Sequence, residues 1–146
     1  MQMDARRISL VKPTLATPFH IDFTWWSQYD RDWKIYLRGY LSEEDQQNLL
    51  DADGEQLFDI IDPLTAEVTR VDGVQHLLIT KYANRADFIT ESTSLVESIF
   101  RLFLTNGNLP LNSEELGERL SRPALTILKT LSGPRIYKGM RPLLGG

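Results

Sequence analysis

Few residues in this chain could do chemistry, and most are spaced against doing it together. The two histidines, His20 and His76, lie far apart, and His76 has no Glu or His four positions on to complete a helical metal pair. The chain has no cysteine, which removes disulfides, thiolate nucleophiles and Cys-based metal sites, and suits a reducing compartment. Acids are dense at Asp51, Asp53, Glu55, Asp59 and Asp62, a grouping that suggests a carboxylate pair or a metal. In DADGEQLFD, however, setting Asp53 and Gly54 at the fifth and sixth positions of a calcium loop puts Leu49 first and Ile60 twelfth, where oxygen ligands are required. Helix ends and turns account for these acids more simply. No G-x-S-x-G, P-loop or dinucleotide fingerprint occurs. The expectation is a protein that is not an enzyme and uses neither metal nor cofactor.

The remaining chemistry is ionic. Arg119, Arg122, Lys129, Arg135, Lys138 and Arg141 follow one another to the end without an acid, while the preceding sequence holds ten bases against twenty acids. The net charge of −4 therefore averages a basic segment with an acidic body. Such asymmetry is the footprint of a contact surface for a polyanion; the other reading is a tail that docks onto its own acidic domain.

These residues must be held by elements, and the composition supports them. With 146 residues, 42% apolar and 25% charged, the chain can bury one core or two small ones. No apolar run approaches the ~18–20 residues needed to span a bilayer, and the start MQMDARRISLVK lacks a signal-peptide core, so the expected location is cytoplasmic.

Three parts are expected. Residues 1–21, with Pro13 and Pro18 and no lasting period, read as an N-terminal arm in which Arg6, Arg7 and Lys12 are solvated or help hold a phosphate. Residues 22–92 read as a helical domain. Within it Trp26, Tyr29, Trp33, Leu37 and Tyr40 recur every three or four positions, an aromatic stripe of a helix over 24–40 that faces the core. Ser42 caps a further helix ending near 51–54. Asp62–Pro63 is a turn, EVTRV a strand of a hairpin or an isolated strand, and Asp72–Gly73 a second turn signal. Val74, Leu77, Leu78 and Tyr82 then share a helical face.

Residues 93–146 form the third part. Thr93 or Ser94 caps a helix on which Leu95, Val96, Ile99, Phe100, Leu102 and Phe103 cover about 160°, wider than the ~100° stripe of a surface helix. It must be covered on two sides, by the following helices and by the N-terminal helices or a second copy. After Gly107 come an extended LPL, a helix capped by Asn112 or Ser113, a tight turn at Ser121, and a helix opened by Pro123 and stopped by Gly133 and Pro134. On that last helix Ala124, Ile127, Leu128 and Leu131 form one stripe, and Arg122, Thr126, Lys129 and Thr130 lie opposite.

The segment EELGERLSRPALTILKTL resembles the helix-turn-helix of the winged-helix DNA-binding superfamily, with Leu116, Gly117 and Leu120 at its apolar, small and apolar positions. The resemblance covers roughly the last third of the chain. It implies a mainly α fold, an N-terminal helical part packed on a C-terminal winged helix-turn-helix with a short β wing. The implied function is transcriptional regulation through duplex DNA, commonly as a dimer. Thr126, Lys129 and Thr130 would face base edges, Arg122 would meet the backbone, and Arg135, Lys138 and Arg141 in the wing would neutralise phosphates. The alternative is a non-catalytic interaction or assembly protein, whose winged helix binds a protein partner and whose acidic N-terminal part does the docking.

Overall fold

The computed structural model of the chain describes residues 12–29, 32–51 and 56–143. Arg6, Arg7, Asp53 and Glu55, singled out above, lie outside them. The described chain is mainly helical, with a small antiparallel sheet and a separate hairpin.

The sheet is built around the segment Pro18–Ile21 (β1). Phe19 and Ile21 are buried while Pro18 and His20 are half-buried, the period-2 pattern of a strand with one covered face. On one side β1 pairs antiparallel with Leu111–Asn112 (β4), and on the other with Met140–Pro142 (β5). The part of the chain expected as a peripheral arm thus supplies the central strand. A four-residue run with two apolar members is too short to show a period, so its pairing cannot be read locally. Where β4 ends, the Asn108 amide continues the ladder: Ile21 N–H donates to Asn108 Oδ1 at 2.8 Å, and Asn108 Nδ2 donates to Ile21 O at 2.9 Å.

The aromatic period over 24–40 resolves into two helices, Phe23–Tyr29 (α1) and Trp33–Arg38 (α2), so the single helix expected there is corrected. Asp32 holds the N-cap position of α2, and its short acceptor side chain favours a helix boundary over a helix interior. Tyr29, expected on the buried stripe, is 72% exposed, whereas Leu37 is buried. Ser42 precedes Glu43–Asp51 (α3), its hydroxyl accepting from Asp45 N–H at 3.2 Å. Phe58–Ile61 (β2) and Val68–Val71 (β3) form the hairpin, closed by a turn in which Ala66 takes a left-handed φ of 59°. Asp72–Gly73 is a helix start and not a second hairpin turn: Asp72 and Gln75 make a capping box for Gly73–Thr80 (α4), followed by a 3₁₀ turn over Tyr82–Asn84.

Leu95–Thr105 (α5) is the central helix. The Ser94 hydroxyl caps it, and Ile99, Phe100 and Phe103 are fully buried, each side chain stabilising the fold by about 1.5–3 kcal/mol. Its apolar surface is covered within one chain, by β1, α4, the 3₁₀ turn and Ser113–Leu120 (α6). Trp26 and Tyr40 complete the cover, with ring centroids 5.9 Å from that of Phe100.

The turn between α6 and Ala124–Ser132 (α7) is tight. A Cβ on Gly117 would stand 2.7 Å from the Arg122 carbonyl oxygen, and Ser121 adopts φ 55°, the left-handed region that favours glycine. Pro123 sits at the N-cap position, one place before the first helical residue. Ile127 and Leu131 are buried and Ala124 and Leu128 half-buried, as the stripe requires. Beyond α7 the expected short β wing is not made by the tail alone. Its strand β5 pairs with β1 from the other end of the sequence. Among the described residues no helix is long and apolar enough to cross a membrane.

Candidate functional site

Seven residues were expected to form a contact surface, and their surroundings divide them. Thr126 and Lys129 are exposed on α7. Thr130 is half-buried, and its hydroxyl donates back to the Thr126 carbonyl at 2.8 Å. Arg135 is exposed, its guanidinium 4.9 Å over the ring of Tyr137. The other three are held by the body. Arg122 turns away from the outer face of α7, its Nη2 donating to the carbonyls of Thr93 at 3.1 Å and Glu91 at 3.4 Å. Arg141 pairs with Asp22 at 3.5 Å. Lys138 pairs with Glu97 at 2.6 Å.

The Lys138 site is the most highly organised polar cluster described. Its ammonium also donates to the Tyr36 hydroxyl and lies 5.0 Å from the Tyr36 ring centroid and 5.2 Å from that of Phe100. Tyr40 donates to both Glu97 oxygens at 3.1 and 3.2 Å, and its own oxygen lies 3.0 Å from that of Tyr36. Lys138 therefore donates to Tyr36, Tyr36 to Tyr40 and Tyr40 to the Glu97 carboxylate, which accepts from Lys138 in turn and closes the ring. Arg101 adds a bond from Nε to Glu97 at 3.1 Å and one from Nη1 to the Phe88 carbonyl at 2.7 Å. Its guanidinium lies 5.4 Å from the ring centroid of Tyr40 and 5.3 Å from that of Phe88.

The charges in the ring support one another. Burial raises the Glu97 pKa, but the hydrogen bonds and charge of Lys138, with the bonds from Arg101 and Tyr40, outweigh it and hold the carboxyl below the usual range. Burial likewise opposes the Lys138 ammonium, and the bonds to Glu97 and Tyr36 overcome it and raise its pKa. Burial first, with the Glu97 charge and the bond Tyr40 donates to it, pushes the Tyr40 phenol far above its ordinary range, so it stays a donor. From the backbone side Trp26 Nε1–H donates to the Lys138 carbonyl at 2.8 Å. Lys138 and Gly139 both have left-handed φ, 52° and 72°, and a Cβ on Gly139 would meet the Trp26 ring at 2.9 Å. An open groove of about 550 Å³, lined by Tyr36, Tyr40, Phe88, Glu97, Arg101, Ile35 and Gly39, runs over this ring.

A second organised carboxylate, Asp45, is buried and ties α3 to the chain that follows α4. It accepts from Lys81 Nζ at 2.8 and 2.9 Å and from the Tyr82 hydroxyl at 2.6 Å. Those bonds, from Lys81 first and Tyr82 second, hold it below the usual carboxylate range. The histidines have structural settings. His76 stacks on Phe58 with centroids 4.2 Å apart, and His20 stands opposite Arg141 in the sheet. Among the described residues no group of three or more His, Asp or Glu is placed to hold a metal ion.

Sequence reasoning missed the Glu97 ring, although a signal was present. Glu97 and Arg101, four apart, are the charged pair of an otherwise apolar helix that is covered on two sides, so any buried acid there requires a cationic partner. The chain matches no protein-family model, no curated protein and no solved structure.

Proposed function

We propose that the protein is a non-catalytic interaction protein, and that its helix-turn-helix surface, α6 and α7, binds a protein partner. The observation that carries this is the engagement of Arg122 and Lys138 within the chain itself. Phosphate neutralisation dominates DNA affinity, and these cations are committed elsewhere. The exposed side chains of the two helices set Glu114, Glu115 and Glu118 against Arg119 and Lys129, a balance that repels a polyanion. Leu125, 60% exposed beside Thr126, supplies the apolar anchor that a protein interface needs and a phosphate surface does not.

The second reading is a DNA-binding transcriptional regulator of the winged-helix kind, favoured by the exposure of Thr126 and Lys129 on α7 and by the order helix, strand, helix, turn, helix, strand from α5 to β5. The two part in a titration of random duplex DNA at falling salt. The interaction reading expects no salt-dependent complex. The DNA reading expects one with a slope of up to about 2.7, since Arg119, Lys129 and Arg135 would each contribute roughly 0.9. A photo-crosslinking residue at position 125 should then yield a protein adduct in cells. A DNA adduct there, or a duplex complex whose base preference is lost in Lys129→Ala, overturns the proposal.

A further inference from the structure

We infer that the outer face of the β2–β3 hairpin is a docking surface for a second copy of this chain, joined about a two-fold axis that runs parallel to the strands. The hairpin is a two-stranded sheet, and such a sheet needs a covered face to be stable. Its inner face is partly covered, with Phe58 stacked on His76 of α4 and Ile60 and Val71 half-buried, while Thr69 opposite Ile60 is exposed. Its outer face presents Asp59, Ile61, Val68 and Arg70 to solvent, with Ile61 63% and Val68 55% exposed, and Leu64 in the turn is 94% exposed. Apolar side chains gathered this way on a free sheet face mark an interaction site.

The register identifies the occupant. Asp59 is directly opposite Arg70, and Ile61 directly opposite Val68. A half-turn about an axis lying along the strands, midway between two stacked hairpins, carries β2 of one copy over β3 of the other without shifting it lengthwise. Asp59 of each copy then lies over Arg70 of its mate, and Ile61 over Val68. The face is complementary to itself in both charge and polarity, which is the requirement of an isologous contact. Within one chain the Asp59–Arg70 pair is loose, at 3.5 Å with both side chains more than half exposed, so both groups are available across the contact. Two sheets packing face to face in this way keep their strands within about 30° of each other. A hairpin of two four-residue strands covers less than the ~800 Å² per partner of a standard interface, so the association is expected to be weak and concentration-dependent.

Charge swaps test the contact directly in the full-length protein by sedimentation equilibrium. The wild type should rise from 16.8 kDa toward twice that mass with concentration. Asp59→Arg alone places like charges across the two-fold, as does Arg70→Asp, and each should weaken self-association at least tenfold. An equimolar mixture of those two variants restores both cross-copy pairs and should associate as the wild type does. The double variant D59R/R70D should also recover. A wild type that remains monomeric at high concentration, or self-association untouched by either single swap, overturns the inference. So does recovery in the double variant without recovery in the mixture, because that pattern belongs to the pair within one hairpin.

Discussion

Glu97 accepts hydrogen bonds from Tyr40, Arg101 and Lys138 and so helps hold the tail on the body, beside the pairing of β5 with β1. Removing one partner from a fully buried pair costs roughly 3–5 kcal/mol; the Lys138 and Glu97 side chains are 25% and 24% exposed, so Glu97→Gln is expected to cost about 2 kcal/mol. The pH dependence has a definite sign. Glu97 and Asp45 are both held below their ordinary values, so they add stability above those values and lose it as pH falls through the lower, folded ones. Lys138, raised, adds stability that is lost only as pH climbs past its ordinary 10.5. Urea midpoints should therefore be flat near neutrality and fall in acid, and the gap between wild type and Glu97→Gln should narrow below about pH 4. A gap that stays constant into acid would show that Glu97 acts through packing and not through its charge. At this scale the sequence disclosed charge but not pairing. Lys138 and Glu97 are brought together by the fold of the intervening chain, and nothing in PRIYKGMRP distinguishes a lysine that faces water from one enclosed by Tyr36 and Phe100.

The element most fully legible in the sequence is the pair α6 and α7, because its determinants are local. Asn112 and Glu115 form a capping box, Gly117 admits the Arg122 carbonyl, and Ser121 takes the left-handed turn position where glycine is usual. Two substitutions with opposite signs follow. Ser121→Gly should stabilise the protein by about 0.5–1 kcal/mol, the relief of left-handed strain exceeding the entropy glycine adds to the unfolded chain. Gly117→Ala should destabilise it by about 1–3 kcal/mol, since the new methyl meets backbone that cannot rotate aside. Thermal melts of both variants check the pair of signs. The same local reasoning located the capped α5 and the second strand of the hairpin, leaving its pairing open, but it joined α1 and α2 into one helix. The aromatic spacing is compatible with continuation, and the break is set by Asp32 and by where Trp26 and Tyr40 meet Phe100.

Over the whole molecule, division into an arm, a helical domain and a C-terminal domain does not match the pairing of the strands, since β1 stands between β4 and β5. Residues 91–146 expressed alone would lack that strand and also α4, leaving Leu111, Met140 and one side of α5 uncovered. Such a fragment is expected to associate and to melt without a cooperative transition; a soluble monomer with a sharp melt would show that the sheet closes without β1. Strand pairing of this kind was illegible because it joins residues more than ninety positions apart, beyond the reach of any periodicity. It also sets an order on synthesis. Pro142 follows Phe19 by 123 residues, so at ~5–20 residues per second the central strand waits on the order of ten seconds for that neighbour. During that interval its backbone edge is open to any other nascent chain, and the Pro at its first position, which cannot donate to a ladder, limits what can pair there.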